Sequence, residues 1–396
     1  MAPLSDRIRS MERIYLDHNA TTPLDDRVLQ AMLPALQERF GNPSSIHWFG
    51  QQARAAVDEA RVPVAALLGA MPSEIIFTAS GTEADNMALR GIAGASPEAR
   101  RKILCSAAEH HAVLHTAKAL AEEGWQVEYV RIRPGGLLDL DDLRAKVDET
   151  TAVVAVMFAN NETGVVQPIG DVVRIAQEKG ALVHCDAVQA GGKIPVDAQA
   201  LGVDTLAISA HKIYGPKGVG ALYVQRGTRL RALLRGGAQE RNRRAGTENV
   251  AGIVGLGRAA KIALEELPEA EKLATLRDWL EQRLLAIPGS ARNGEGPRVA
   301  NTTNISFEGI EAESLLLALD LMGVAVSTGA ACAAGAMEPS HVLRAMGLPI
   351  ERVQGSLRFS MGRSTTAAQV ESACAAVAEA VERQREVSRV SAVRRA

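Results

Sequence analysis

No apolar run in these 396 residues approaches the length of a membrane span. The longest, Ala152 to Ala159 (AVVAVMFA), suits a buried strand. An excess of one charge is missing too: 44 Lys plus Arg stand against 46 Asp plus Glu, a formal net charge of -2, so no global basic field exists to hold nucleic acid or an anionic membrane. The cysteines are few and far apart. Cys105, Cys185, Cys332 and Cys374 form neither the close pairs of a zinc site nor the dense framework of a secreted domain, and no resident metal is expected. The opening stretch MAPLSDRIRSMERIYLD breaks its apolar residues with charge and lacks the continuous core of a secretory signal, so a cytoplasmic protein is expected. Internal repeats and low-complexity linkers are absent as well.

What is present is the balance of an ordinary globular chain, 47% hydrophobic and 23% charged. Its length suits about two domains. Strand-like runs at Glu74–Thr78, Lys102–Cys105, Ala152–Phe158, Ala181–Cys185, Thr205–Ser209 and Val219–Val224 alternate with helical patterns at Ala84–Ala93, Ala112–Glu122 and Val172–Lys179. That alternation predicts an α/β fold with a mostly parallel sheet covered on both faces. Pro63, inside the helical pattern Gln52–Leu68, should kink or divide that helix. After about residue 265 the pattern changes to helices around strands at Asn304–Phe307, Gly323–Ser327 and Ser356–Ser360, which predicts a smaller α+β domain. Residues 13–265 are therefore expected to form the large domain, and 1–12 with 266–396 the small one.

Open parallel sheets gather ligands at the carboxyl ends of their strands, and the polar residues following each run form a set. ASGTEADN brings Gly81 and Thr82 to a helix start, where backbone N–H groups favour a phosphate. SAAEHHAV brings Glu109, His110 and His111; NNETG brings Asn160, Asn161 and Glu162; DAVQ brings Asp186 and Gln189; TLAIS ends on His211-Lys212. Each alone is as readily a cap, a turn or a packed core residue. Together they describe a cradle for pyridoxal phosphate: a lysine to form a Schiff base with its aldehyde, a carboxylate for its ring nitrogen, a planar side chain over its face and N–H groups for its phosphate. Burial would lower the lysine's pKa and supply the neutral amine this chemistry needs.

The sequence resembles the class V aminotransferase family, of pyridoxal-phosphate-dependent transferase fold type I, and within it the cysteine desulfurases of the nitrogen-fixation (NifS/IscS-like) type. The stretches that carry the likeness run nearly end to end: YLDHNATTP (Tyr15–Pro23), FGNPSS (Phe40–Ser45), SGTEADN (Ser80–Asn86), EHHAV (Glu109–Val113), NNETG (Asn160–Gly164), HCDAVQ (His184–Gln189), SAHKIYGPKGVGALY (Ser209–Tyr223), RRAGTEN (Arg243–Asn249), EPSHVLRAMG (Glu338–Gly347) and LRFSMGR (Leu357–Arg363). The resemblance implies that Lys212 carries the cofactor, Asp186 pairs with its ring nitrogen and His110 stacks on the ring. Asn161 and Gln189 would meet the ring oxygen region, and Gly81, Thr82, Ser209 and His211 the phosphate. Thr247 would reach in from a second subunit, which implies a homodimer. Arg358 looks like the residue that takes the substrate carboxylate, a task suited to its planar donors, with Asn161 assisting.

The reaction turns on Cys332 within STGAACAAGAMEPS, a stretch of small residues that suits a mobile loop. The family places its nucleophile at this point. The family's usual SSGSACTS reads STGAACAA here, with Ala330, Ala333 and Ala334 in place of hydroxyl residues. Cys105, Cys185 and Cys374 are expected to be packed apolar residues, Cys185 beneath the cofactor. By the resemblance, L-cysteine is the substrate, Lys212 with His110 moves its Cα proton, and the Cys332 thiolate takes the sulfur, leaving L-alanine. Sulfur would pass to an acceptor such as an iron–sulfur cluster scaffold, a cluster that Cys332 could transiently ligate. A selenocysteine lyase, a class V aminotransferase and a catalytically silent sulfur-handling partner remain alternatives.

Overall fold

The computed structural model describes residues 13–329 and 338–395, with side chains described as far as 387. Its strands are β1 (Ile14–Tyr15), β2 (Ile75–Thr78), β3 (Lys102–Ser106), β4 (Gln126–Val130), β5 (Thr151–Ala155), β6 (Leu182–Asp186), β7 (Thr205–Ser209), β8 (Gly220–Val224), β9 (Ser290–Arg292), β10 (Thr302–Phe307), β11 (Val324–Ala325) and β12 (Ser356–Ser360). Seven of them form one sheet in the order β2-β8-β7-β6-β5-β3-β4. Only β8 runs against the rest, pairing antiparallel with both β2 and β7. A mostly parallel sheet is thus present.

Alternate residues of these strands feed opposite faces, as the two-residue period of a strand requires. Ile103, Cys105, Val153 and Ala155 pack with Leu89, Ile92, Val113 and Ala117 of the helices Gly81–Ala95 and His111–Glu122. Leu104, Val154, Val183, Leu206 and Ile208 face the other way, into the largest core. That second face is closed by Ile169–Gln177 and by Val250–Glu265, the latter crossing Trp48–Leu67. At the crossing a Cβ on Gly257 would stand 2.7 Å from the Ala60 carbonyl oxygen, so glycine lets the two backbones touch.

Several expected boundaries shift. AVVAVMFA leaves the strand at Ala155, although Val156 N–H and Phe158 N–H still donate to His184 O and Asp186 O at 3.0 and 2.8 Å before the chain turns into NNETG. The expected strand at Gly323–Ser327 is only the two residues of β11, which pairs parallel with β1, while Ser327 bridges to Arg358. β4 is an addition, lying at the sheet edge with Gln126 and Tyr129 exposed, Val127 and Glu128 half-buried and Val130 buried. Pro63 does not divide its helix, which runs unbroken from Trp48 to Leu67. The carbonyl that Pro63 leaves without an N–H partner belongs to Glu59, an exposed residue whose bond water can take.

The second core gathers on the antiparallel sheet β12-β10-β9. Ile305, Phe307, Leu357 and Phe359 pack against Leu280 and Leu284, Leu315 and Leu319, and Val370, Val377 and Val381 from three helices. Ile14 and Leu16 join them. Val342, Leu343, Met346 and Val353 instead belong to the larger core, so the chain crosses between the two more than once.

Candidate active site

The carboxyl ends of β2, β3, β5, β6 and β7 open on a cavity of about 350 Å³. Gly81, Thr82, His110, Asn161, Asp186, Gln189, Ser209, His211, Lys212 and Arg358 all line it. Residues from five strand-end loops and from β12 therefore line one cavity.

Lys212 ends the short 3₁₀ turn Ala210–Lys212 that follows β7. Its Nζ donates to the carbonyls of Asn19 at 2.5 Å and Ala20 at 2.8 Å. Burial first, and then the Arg358 charge, pull its pKa down to about 8, against the opposing pull of Asp186 and Asp17. Two residues on, Tyr214 sits in the left-handed region at φ 65, held there by its N–H bonded to Thr22 Oγ1 and its hydroxyl accepting from Arg363 N–H.

Asp186, at the end of β6, accepts from Val188 N–H at 2.9 Å. Burial raises its pKa to about 6, a rise limited by that N–H and by Lys212, so it remains a carboxylate at pH 7. Beneath it His184 is pinned between Thr205 Oγ1 at 3.0 Å and Asp85 Oδ1 at 3.1 Å. Burial holds His184 neutral, with a pKa pushed down to about 3. Asp85 and Glu109 are pushed well up by burial and by the charge of Asp186.

His110 caps the helix His111–Glu122, its Nδ1 accepting from Ala112 N–H at 3.1 Å. Burial, then Lys212 and the histidines His341 and His115, lower its pKa to about 4. A neutral ring with Nδ1 accepting carries its proton on Nε2. At the other end of the cavity, Gly81 opens a 15-residue helix capped by Ser80, whose Oγ accepts from Glu83 N–H. A Cβ on Gly81 would stand 2.7 Å from Val188 Cγ2, so the helix end stays open only to glycine.

Arg358 reaches the site from β12. Its Nη2 bonds Asp17 Oδ1 at 2.7 Å and its Nη1 bonds Asn161 O at 3.0 Å, while its buried Nε has no partner. Asn19, absent from the expected set, ties these groups together. Its carbonyl accepts from Lys212 and from Gln189 Nε2 at 2.9 Å, its Nδ2 donates to Asn161 O and Thr302 Oγ1, and its Oδ1 accepts from Lys193 and Asn301. It lies in YLDHNATTP, one of the stretches that carry the family likeness, and this segment bonds the lysine turn through Asn19 O and Thr22 N–H.

Cys332 lies outside the described residues. The flanks of its segment meet at Glu162, where Ser340 Oγ donates to Glu162 Oε2 at 2.5 Å. Gly329, at φ +84, lies where a Cβ would come 2.9 Å from the same oxygen. Thr247 is exposed beside Gly218 and Glu248 and does not line this cavity. Cys105, Cys185 and Cys374 are buried, and burial raises all three thiol pKa values, which disfavours the reactive thiolate. Among the described residues no group of three or more His, Cys, Asp or Glu is arranged to hold a metal.

A neutral-tending amine, a buried carboxylate and a helix end facing one another across a cavity define a site for a phosphorylated, carbonyl-bearing ring, and the chain belongs to the aminotransferase class-V family, whose profile matches residues 14–372. A cysteine desulfurase of Trichormus azollae is 52% identical over 381 residues, 96% of this chain and 95% of that protein. The cysteine desulfurase IscS of Methanosarcina thermophila is 47% identical over 377 residues, 95% of this chain and 93% of that one. A solved structure described as a NifS-like protein superposes with a TM-score of 0.88 at 41% identity, covering 93% of this chain and 99% of that one.

The cofactor of this family is pyridoxal 5'-phosphate. The residues present fit it. Ser209 Oγ is buried beside Gly81 with no partner, an orphaned hydroxyl facing the open helix end where a phosphate would sit.

Proposed function

We propose that this chain is a pyridoxal-phosphate-dependent cysteine desulfurase that takes sulfur from L-cysteine onto Cys332 and releases L-alanine. The observation that carries the reading is the meeting of the Lys212 amine, the Asp186 carboxylate and the Arg358 guanidinium around one cavity. Bound there, the cofactor supplies an electron-withdrawing ring that takes up the charge left when bonds at the amino acid's α and β carbons break. Lys212 Nζ would hold the cofactor covalently and, as a free amine, would take the Cα proton. Asp186 would hold a proton on the ring nitrogen. His110 would cover the ring with its Nε2–H available as a donor, and Asn161 and Gln189 would serve the ring oxygen. Gly81, Thr82, Ser209 and His211 hold the phosphate, and Arg358, with its unpartnered Nε–H, takes the substrate carboxylate. The Cys332 thiolate attacks the substrate sulfur, forming an S–S bond as the substrate C–S bond breaks. The persulfide then passes its sulfur to an acceptor, an iron–sulfur assembly scaffold being the reading that the IscS and NifS likenesses favour. Cytoplasmic location and a nitrogen-fixation role belong to the same reading.

A homodimer is part of the proposal. Phe40, Ile46, Trp48 and Phe49 form an exposed apolar cluster, Ile46 being 93% exposed, with Phe40 and Phe49 stacked at 5.3 Å. A second copy would cover that patch and bring its Thr247 toward the phosphate end. The division of the chain near residue 265 into a cofactor-binding domain and a smaller one carrying Cys332 completes the picture. A selenocysteine lyase or transaminase is the weaker reading, since the relatives named above are cysteine desulfurases.

The test is Cys332→Ala. It should keep the yellow cofactor band and its response to added cysteine, yet release alanine and sulfide on the order of 10³-fold more slowly. Desulfuration at the full rate in this variant overturns the assignment, as does a Lys212→Ala protein that retains the band.

A further inference from the structure

The loop that leaves Asp186 turns back on itself, and Lys193 sends its side chain to Gln189 and Asn19, two residues that line the cavity. Gly192 makes the turn: at φ +70 a Cβ there would stand 2.9 Å from Ala263 Cβ and 3.0 Å from Ile213 Cγ2, so the backbone before Lys193 lies against both the helix Val250–Glu265 and the lysine turn. Lys193 Nζ donates to Asn19 Oδ1 at 3.0 Å and to Gln189 Oε1 at 2.5 Å. Both acceptors are neutral, and among the described residues no carboxylate forms an ion pair with this amine. Burial first, and then the Lys212 and Arg358 charges, push its pKa well down. Charged or neutral, an amine serves those two oxygens as a donor.

The consequence falls on Gln189. A carboxamide fits its pocket by shape in either of two orientations, and only its bonding partners choose between them. A donor on Oε1 leaves Nε2 to face Asn19 O, the carbonyl that also holds Lys212 Nζ. The chain Lys193, Gln189, Asn19, Lys212 is therefore continuous. We propose that Lys193 is a positioning residue for the cysteine desulfurase reaction: it fixes Gln189 with its N–H toward the cofactor's ring oxygen, and so sets how tightly the Lys212 nitrogen holds its proton. The inference rests on the reading of the site given above. Other charges face the pair from β12 (Arg358), from the end of β6 (Asp186) and from the segment after β1 (Asp17 and His18), and His110 and His211 flank Lys212. None of these side chains hydrogen-bonds Gln189, so Lys193 is the side chain that orients it, acting with the Asn19 carbonyl that accepts from its Nε2.

The test is a pH titration of the visible band of the cofactor-loaded protein. A donor on the ring oxygen stabilises that oxygen's anion, which then holds the neighbouring Lys212 proton less tightly; losing the donor moves the midpoint up. Lys193→Met, similar in length and without a donor, should raise the midpoint by roughly one pH unit, and Lys193→Arg should restore it in part. Should Lys193→Met prove insoluble, Lys193→Gln, too short to span both oxygens, should shift the midpoint the same way. A purely structural role would lower the melting temperature and leave the midpoint in place. A wild-type protein that takes up no colour overturns the reading of the site and this role with it. A coloured wild type whose midpoint does not move in the soluble variants overturns the role of Lys193 alone.

Discussion

The two sheets bury their strands in opposite ways. In β2, β3, β5, β7 and β8 every residue is buried, and most are apolar, because helices cover both faces of the parallel sheet. β10 and β12 are also buried throughout, yet β10 reads TTNISF and β12 reads SLRFS. Their apolar side, Ile305, Phe307, Leu357 and Phe359, belongs to the second core. Their other side meets the site through hydrogen bonds: Thr302 Oγ1 to Asn19, Asn304 Nδ2 to Glu162 O, Arg358 to Asp17 and Asn161 O, and Ser360 Oγ to Asn19 N–H. Asn304 and Arg358 are register partners, so one antiparallel ladder points both at the NNETG loop. The parallel sheet supplies the rigid floor. The antiparallel sheet supplies a polar wall whose orientation is set by directional bonds rather than by area.

The sharpest way to break this contrast is at the floor. Asp186→Asn removes the carboxylate proposed to pair with the cofactor's ring nitrogen, and activity should fall on the order of 10²–10³-fold. Stability should move the other way. The Asp186 carboxyl titrates at about 6 in the folded chain against an ordinary 3.8, so its ionisation costs folding energy, a cost that sets in as pH rises through that window and is complete at pH 7. The cofactor-free variant should therefore be more stable at pH 7 by on the order of 1–3 kcal/mol, with the gain gone below pH 3.8. Urea denaturation at the two pH values measures it. No gain at pH 7 would show that Asp186 is better solvated than its burial implies.

On the wall, the apolar side should behave as ordinary core. Phe359→Ala deletes a fully buried ring packed among residues of the second core, and should cost about 3–5 kcal/mol of unfolding free energy. Loaded protein that survives should keep its visible band and midpoint. A shifted midpoint would mean that the apolar packing, not the hydrogen bonds, orients Arg358.

Most of the floor was legible from the chain because a parallel strand followed by a polar turn is a local pattern. Lys212, Asp186, His110 and Gly81 each announce themselves within a few residues of an apolar run. The wall was harder. Polar residues in β10 and β12 look like an exposed strand face, and only their tertiary partners show that the face is covered. Asp85 and His184 pair across 99 positions, a spacing that carries no signal. Lys193 follows two glycines in AGGK, where a surface turn is the natural expectation, and Gly192 can be seen to aim it inward only once Ala263 is known to lie behind it. β4, with Gln126 and Glu128 alternating with Val127 and Tyr129, has the two-residue period of a strand but no apolar run, which is how an edge differs from a centre.

The smallest effect separates the two sides of the wall most cleanly. Thr302→Val keeps the shape of a fully buried side chain and removes an oxygen that accepts from Asn19 Nδ2 at 2.8 Å and donates to Asn301 Oδ1 at 3.0 Å. The loss should be about 1–2 kcal/mol of stability, smaller than that of Phe359→Ala. Its reach into the site should nonetheless be greater, because Asn19 carries the carbonyl that Lys212 and Gln189 share, and a freed Asn19 amide loosens that carbonyl. Activity should drop by a few-fold with the midpoint of the visible band displaced upward, in the direction expected for Lys193→Met. Equal stability loss with an unmoved band would place the orienting function in Lys193 and Gln189 without the wall, and the polar face of β10 would then be a docking surface between two cores and nothing more.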